Sequence, residues 1–267
     1  MRLQKISVFI NRNFGLEIER DEDVRVCLAV ESGSRAWGFP SVDSDYDVRF
    51  FYLRRREWYL SIDGEEHRDV IERPLVGILD VSGWDLRKAL RLFRKSNPPL
   101  LEWLQSPIIY RESGTVAERL RALVPTFYSP QAGFRHYLHM ARNNFREYLH
   151  GDVVWRKKYL YVLRPLLAML WIERGLGPVP IEFPRLLQVV DDQSVRRAID
   201  MLVEAKRAGR ELDRGPRILS VSDFVERELS RLESLEPARQ AGSSLQLEEL
   251  NVLFRASLDE AWSRQPV

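Results

Sequence analysis

The sequence predicts an α+β fold in which a strand-containing part precedes an all-α domain. Three segments rich in β-forming residues lie in the first third of the 267 residues, whereas the segments after Gln131 show only helical patterns. Pro125 and Pro130 mark the change between the two patterns. The expected divisions are a first domain at residues 1–110, a connector at 111–130 and a helical domain at 131–267.

The first domain is predicted to contain a short N-terminal helix, three strands and two helices. The strands are expected at residues 25–30 and at about 46–53 and 75–81. Ser82 to Asp85 have the form of a capping box, and apolar residues follow at helical spacing. This helix should end near Ser96, because Asn97-Pro98-Pro99 cannot continue it. A second short helix is expected at about residues 100–105.

The helical domain is predicted to be a bundle of amphipathic helices separated by Gly and Pro clusters, such as residues 175–180. Residues 236–244 (EPARQAGSS) have the composition of a flexible linker. A last helix is expected at about residues 245–263.

The composition is that of an ordinary globular protein, with 45% hydrophobic and 30% charged residues and a formal charge of +2. The single cysteine, Cys27, excludes an internal disulfide and indicates a reducing compartment. Lys5 and Arg12 interrupt the apolar N-terminal residues that a secretory signal needs, and no apolar run is long enough to span a bilayer. We therefore expect a cytoplasmic protein with no membrane role.

The cationic residues are unevenly distributed along the chain. Residues 131–174 carry eight Arg and Lys against three acidic residues, which would suit a polyanionic partner. The same pattern is typical of solvated helix faces whose long cationic stems cover apolar surface. Both interpretations remain open.

The most specific pattern begins at Gly33-Ser34, directly after a predicted strand. Backbone N–H groups and the Ser34 hydroxyl can bind phosphate oxygens at such a turn, and Arg35 adds a cation. Asp45 and Asp47 follow, two residues apart on a strand, so their side chains share one face. Two such carboxylates repel each other unless a cation lies between them, and oxygen ligands with a triphosphate favour Mg²⁺ or Mn²⁺.

Two metal ions need a third carboxylate, for which Asp80 is our candidate because it lies in another strand pattern. Asp85 is the rival, but its position at the start of a helix is explained by helix-terminus electrostatics. Arg49 shares the face of Asp45 and Asp47 and would touch a triphosphate or neutralise the carboxylates. An ordinary polar turn competes with this interpretation, since Ser, Asp and Gly are common in turns. P-loop and dinucleotide-binding glycine patterns are missing from the sequence.

These residues resemble the signature of the polymerase-β-type nucleotidyltransferases. The strings at 33–50, 79–110 and 157–172 are similar to the RNA repair pathway DNA polymerase β family, and the resemblance covers about residues 25–175. It implies a small mixed sheet flanked by helices, with the nucleotide between this sheet and a helical domain. It also implies that Asp45 and Asp47 bind both metal ions, and that Asp80 completes one metal site and helps to deprotonate the acceptor.

In the helical domain, Lys157 or Lys158, Tyr161 and Arg164 recur at a spacing that places them on one helix face. Two cations and a ring can hold phosphate and stack on a base. A helix with Tyr161 in the core remains the alternative. Because Pro165 usually ends or kinks a helix, this face is expected at a bend or helix end that opens toward a cleft.

The leading hypothesis is transfer of a nucleoside monophosphate from a nucleoside triphosphate to a hydroxyl group of an RNA end, a protein or a small molecule. Three carboxylates and a phosphate-binding turn suffice, because two metal ions lower the pKa of the acceptor and stabilise the leaving oxygen. One alternative is a non-catalytic nucleic-acid-binding or antitoxin-like partner. Another is an RNase activity in the helical domain. The Arg and His residues of this domain, however, lack the spacing along a helix that such an RNase needs.

Overall fold

The computed structural model of the protein describes residues 15–63, 66–209, 213–235 and 244–263. These residues form two compact units. The first comprises residues 15–33, 45–127 and 244–263, and the second comprises residues 34–44 and 128–235. These bounds differ from the predicted ones, because residues 34–44 belong to the second unit and the last helix belongs to the first.

The described secondary structure alternates between strands and helices in the first half and is mainly helical in the second half. The strands are β1 (Arg25–Glu31), β2 (Tyr46–Leu53), β3 (Val70–Val76), β4 (Leu79–Asp85), β5 (Ile109–Glu112), β6 (Val153–Trp155) and β7 (Arg214–Pro216). The helices are α1 (Gly15–Glu22), α2 (Ser34–Trp37), α3 (Arg56–Tyr59), α4 (Leu86–Arg94), α5 (Pro98–Leu104), α6 (Val116–Phe127), α7 (Pro130–Tyr148), α8 (Tyr159–Glu173), α9 (Phe183–Leu186), α10 (Gln193–Arg207), α11 (Leu219–Glu233) and α12 (Ser244–Ser263).

The first unit is built on a five-stranded mixed sheet in the order β3-β4-β2-β1-β5. The pairing of β2 with β4 is parallel, and the other pairings are antiparallel. In the first half of β2 buried residues such as Val48 alternate with partly exposed ones, as expected for a strand with one face on the core, whereas Phe50 to Leu53 are all buried. A mixed sheet with flanking helices confirms the predicted α+β class.

The single strand predicted at about residues 75–81 is wrong, because a hairpin occupies this region. Its turn contains Gly77, whose φ of +64° favours glycine, and β3 and β4 run antiparallel on either side. The helix start predicted at Ser82 is also wrong. The strand β4 continues through Ser82 to Asp85, and the Asp85 side chain caps α4 by accepting a hydrogen bond from Arg87 N.

The predicted end of this helix is confirmed. Helix α4 ends at Arg94, and Ser96 adopts a left-handed backbone conformation with φ +53°. The Asn97 side chain then caps α5 by accepting from Leu100 N. Pro98 and Pro99 occupy the first turn of α5, where the missing N–H of proline has no helical partner to lose.

The expected connector at 111–130 contains the helix α6, which continues past Pro125 and packs in the first unit. The strand β5, which precedes α6 in the chain and forms one edge of the five-stranded sheet, was not predicted. Its four residues lie in a short run without clear alternation, so sequence periodicity gave no signal.

The second unit is mainly helical, with one exception to the expected all-α organisation. The strands β6 and β7 form a separate two-stranded antiparallel ribbon. Helix α8 lies at the centre of the unit, where most of its side chains are buried against α7, α9, α10 and α11. Most of the predicted linker at 236–244 lies outside the described residues, and the expected last helix is observed as α12. None of the described helices combines the length and the apolar character that crossing a bilayer requires.

Candidate active site

The strands β2 and β4 place two carboxylates side by side. Asp47 is the register partner of Asp80 in the parallel pairing of these strands. Asp47 lies on the face of β2 opposite to the buried Tyr46 and Val48, so its side chain stays 28% exposed, and that of Asp80 is 43% exposed. Both carboxylates are therefore accessible to a ligand from solvent.

Arg49 bridges this pair. Its Nη2 lies 2.7 Å from Asp80 Oδ2 and 3.8 Å from Asp47 Oδ1. Its Nη1 also donates to the backbone carbonyls of Val48 and Asp80. Of the two roles considered for Arg49, neutralisation of the carboxylates is the one seen in the structure, and contact with a triphosphate stays a prediction.

Glu31 is a third carboxylate at this position, and sequence reasoning missed it. Its side chain is fully buried at the end of β1. The Oε1 atom accepts hydrogen bonds from Asp47 N at 3.0 Å and Gly33 N at 3.2 Å, and Oε2 accepts one from the Tyr110 hydroxyl at 2.5 Å. Glu31 therefore fixes the backbone on both sides of the site. We call Glu31, Asp47, Arg49 and Asp80 the carboxylate site.

The negative charge of the carboxylate site affects the protonation of Asp47. Burial raises the pKa of Asp47 to about 6, and the nearby carboxylate of Glu31 contributes in the same direction. Arg49 opposes the shift. A site whose own charges disfavour an ionised aspartate is one that an added cation would stabilise.

Gly33 lies against the Asp47 side chain. A Cβ atom added at Gly33 would lie 1.7 Å from Asp47 Oδ2, so no larger residue fits without moving the carboxylate. The Gly33 N–H donates to Glu31, so its contribution to phosphate binding would come from its small size.

Asp45 directly precedes β2 and is exposed. Within the described part of the chain, His, Cys, Asp and Glu side chains form no group of three or more that is arranged to hold a metal ion. The structure therefore brings Asp47 and Asp80 together but does not gather all three predicted metal ligands.

Asp85, the rival to Asp80, has a structural role in the first unit. It is fully buried, caps α4, and accepts a hydrogen bond from the Tyr59 hydroxyl at 2.6 Å. Burial raises the pKa of Asp85 to about 6, although the Tyr59 hydrogen bond lowers it. The expected role of Asp85 at the helix terminus agrees with these contacts.

The predicted phosphate turn is divided between the two units, since Gly33 belongs to the first and Ser34 to the second. Ser34 is buried at the start of α2, and its carbonyl accepts from Phe39 N. Arg35 donates from Nη2 to the Ser44 carbonyl at 2.8 Å and thereby closes the loop 34–44. These contacts give both residues a structural role in the loop.

The second unit brings this loop to the predicted helix face on α8. The Arg164 guanidinium lies 4.6 Å from the ring centroid of Trp37, and the Tyr161 ring meets Trp37 edge-on at 6.0 Å. Lys158 Nζ lies 4.6 Å from the Tyr161 ring, and Lys206 Nζ from α10 lies 5.6 Å from the same ring. We call Trp37, Lys158, Tyr161, Arg164 and Lys206 the cation–aromatic cluster. Sequence reasoning missed Trp37 and Lys206, which are distant in the chain.

The residues of this cluster differ in accessibility. Arg164 is only 4% exposed, whereas Lys158 and Tyr161 are half-buried. Helix α8 also continues through Pro165 to Glu173, so of the bend or helix end expected at Pro165 the helix end is wrong, and the bend stays a prediction. Packing on all sides of α8 outweighs the lost backbone hydrogen bond.

Comparison with known proteins gives three findings. A sequence model described as the RNA repair pathway DNA polymerase beta family matches residues 10–256. The chain is 48% identical over 246 residues to "Uncharacterized protein YcgL" of Bacillus subtilis (strain 168), covering 92% of this chain and 94% of that protein. It is also similar to a solved nucleotidyltransferase-like protein from Exiguobacterium sibiricum 255-15, with 15% identity, a TM-score of 0.32 and coverage of 93% of this chain and 89% of that one.

Proposed function

Because the chain belongs to the RNA repair pathway DNA polymerase beta family, we propose that it transfers a nucleoside monophosphate from a nucleoside triphosphate to a hydroxyl group. The observation that carries this proposal is the pairing of Asp47 with Asp80 at one register position of two neighbouring strands. Carboxylates presented in this way suit a reaction that needs mainly positioning and charge neutralisation.

The carboxylate site has the chemistry of a cation site. Arg49 already places one positive group between Asp47 and Asp80, and both carboxylates remain partly exposed. Asp47 and Asp80 would hold Mg²⁺ or Mn²⁺ together with the exposed Asp45, and two ions are expected. The bound ions would neutralise the triphosphate, lower the pKa of the acceptor hydroxyl and stabilise the leaving oxygen.

The reaction would exchange one phosphorus–oxygen bond for another. The acceptor oxygen forms a bond to the α-phosphorus, the bond between this phosphorus and the oxygen bridging to the β-phosphate breaks, and pyrophosphate leaves. Asp80 takes up the acceptor proton, as the family resemblance implies. Arg49 compensates negative charge beside Asp80, and Glu31 keeps the backbone of Asp47 and Gly33 in place through its hydrogen bonds.

The residues predicted from the sequence to contact the nucleotide differ in how accessible their side chains are. Gly33 would contribute by its small size, while Ser34 and Arg35 would shape the loop. Arg49 and the half-buried Lys158 and Tyr161 offer more accessible groups for phosphate and base than the buried Arg164 does. The family description favours an RNA end as acceptor, and a protein or a small molecule remains an alternative outcome of the test.

Incubation with each labelled nucleoside triphosphate, Mg²⁺ or Mn²⁺, and pooled RNA or protein tests the proposal. We expect the wild-type protein to label one class of polymer and to release pyrophosphate, and a chelator to stop the reaction. Asp45→Ala and Asp47→Ala should abolish labelling. Near-wild-type labelling by either folded variant would refute the assignment, and a wild-type protein that binds nucleic acid but labels nothing would indicate a non-catalytic partner.

The two remaining aspartates provide a matched pair. Asp80→Asn should abolish labelling, because it removes a charge from the carboxylate site. Asp85→Asn should retain most of it, since Asn is also a good helix cap and a lost cap costs only about 1 kcal/mol of stability. The reverse result would exchange the roles of Asp80 and Asp85.

A further inference from the structure

The ribbon of β6 and β7 has one buried and one exposed face. Val154 is 1% exposed, while its neighbours Val153 and Trp155 are 54% and 36% exposed. The register pairs Trp155 with Arg214 and Val153 with Pro216, and both Arg214 and Pro216 are exposed. An indole ring and a guanidinium group therefore lie together on the exposed face of the ribbon.

Two cations lie over this indole ring. Lys157 Nζ and the Arg214 guanidinium each lie 5.5 Å from the Trp155 ring centroid. The Arg156 Nε donates to the Pro216 carbonyl of the partner strand, and the Arg156 side chain lies close to Gly215, where an added Cβ atom would be 2.9 Å from Nε. The ribbon thus supplies a partly exposed aromatic ring with two cations over it. Trp155 and Lys157 belong to the cation-rich segment 131–174, for which a polyanionic partner is one of two interpretations, and Arg214 comes from outside that segment.

The combination of groups points to one class of ligand. Phosphate groups would pair with Lys157 and Arg214, and unpaired bases would cover the exposed indole by stacking. A duplex would satisfy the cations but would keep its bases inside the helix, and an acidic peptide would leave the indole exposed. We propose that the exposed face of this ribbon binds single-stranded nucleic acid. Its role as an acceptor surface rests on the proposed transferase function, whereas the binding itself does not.

Fluorescence anisotropy with a labelled single-stranded oligonucleotide tests this surface. Loss of base stacking typically costs 1–3 kcal/mol, so Trp155→Ala should weaken binding by about 5- to 150-fold, and Trp155→Phe should restore most of the affinity. Lys157→Ala with Arg214→Ala should lower the magnitude of the slope of log affinity against log salt by about 0.7 for each lost phosphate contact. The matched control is Arg197→Ala with Arg227→Ala, which removes two exposed cations from α10 and α11 of the same unit.

Two outcomes would overturn the proposal. One is equal weakening by the control pair, which would show diffuse attraction rather than a surface at the ribbon. The other is unchanged affinity in Trp155→Ala and Trp155→Phe, with each variant melting like the wild-type protein. Because these binding assays contain a chelator and no triphosphate, they measure oligonucleotide affinity without nucleotide transfer, so failure of binding and failure of transfer can be told apart. Heparin, which lacks bases, should compete with the oligonucleotide for the protein. The affinity of the protein for heparin should be the same in Trp155→Ala and in the wild type.

Discussion

The carboxylate site of the first unit and the cation–aromatic cluster of the second unit each bring charges of one sign together, and they differ in how these charges are compensated. In the first, two carboxylates contact one guanidinium, a third carboxylate, Glu31, binds the backbone of Asp47, and the pKa of Asp47 is raised by burial and by Glu31. In the second, Lys158, Arg164 and Lys206 each lie over an aromatic ring. An excess of one charge lowers stability unless a ligand compensates it, whereas rings compensate cations within the fold. The first region therefore has an excess of negative charge on accessible carboxylates, whereas the cations of the second region lie against rings within the fold.

The largest effect is expected for a substitution of Asp47, which should reduce activity without reducing stability. Asp47→Asn should reduce nucleotide transfer by at least about 1,000-fold, because cation-mediated stabilisation of a transition state is worth several kcal/mol and each 1.36 kcal/mol is a factor of ten. Its melting temperature without metal should stay unchanged or rise, since a carboxylate that resists ionisation is removed. A clear fall in melting temperature would show that Asp47 stabilises the fold and would remove the contrast with the cluster.

A smaller loss of activity is expected from Gly33→Ala. The added methyl group would lie 1.7 Å from Asp47 Oδ2 and displace the carboxylate by more than about 1 Å, and a displacement of that size can reduce the rate by roughly 100-fold. The melting temperature should also fall. The double variant Gly33→Ala with Asp47→Ala should recover that melting temperature, because the carboxylate no longer meets the methyl group. A Gly33→Ala variant with wild-type activity would show that the position of Asp47 is adjustable.

Arg164 should show the opposite balance, with a loss of stability rather than of activity. Arg164→Ala removes a buried guanidinium from the face of Trp37 and leaves its volume unfilled, so the free energy of unfolding should fall by about 2 kcal/mol. Urea unfolding would measure the change, with Arg164→Lys as the variant that keeps the charge. If stability is unchanged while nucleotide affinity drops in calorimetric titration, the cluster binds ligand through its buried side.

The smallest change in stability is expected at the accessible edge of the cluster. Lys158→Ala should lower the free energy of unfolding by less than about 1 kcal/mol, because a partly exposed cation–π contact contributes little. If this edge contacts the nucleotide, affinity for the triphosphate should drop about tenfold, the usual cost of a lost charge-assisted hydrogen bond. Calorimetric titration of Lys158→Ala beside Arg164→Ala would then show which part of the cluster, if either, binds the nucleotide.

The sequence predicted those features that follow from local periodicity. The bounds of β2 at Tyr46 and Leu53 and the shared face of Asp47 and Arg49 followed from alternation along one strand. The β3–β4 hairpin was missed because Gly77 lies within an apolar run that reads as a single strand. Asp80 was nevertheless assigned to a strand beside Asp47, because its surrounding residues favour a strand in either case.

Contacts between distant residues could not be read from local patterns. Trp37 meets Arg164 only because the loop 34–44 belongs to the second unit, and no periodicity in either segment indicates this pairing. Glu31 was missed for another reason. A single acidic residue at the end of an apolar strand looks like the first residue of a turn, and only the structure shows its three hydrogen-bond donors.

The hydrogen bonds of Glu31 have a consequence for how this sequence can diverge. One carboxylate joins the backbone at Gly33 and Asp47 to the hydroxyl of Tyr110, which belongs to a different strand. Substitutions at Glu31 and Tyr110 should therefore be strongly epistatic, because each removes the same hydrogen bond, and the second change adds little once the first has been made. Asp47 and Asp80 transplanted into another scaffold without Glu31 and Tyr110 would not be held in the same positions. Homologues that replace one of the residues Glu31 and Tyr110 should also replace the other.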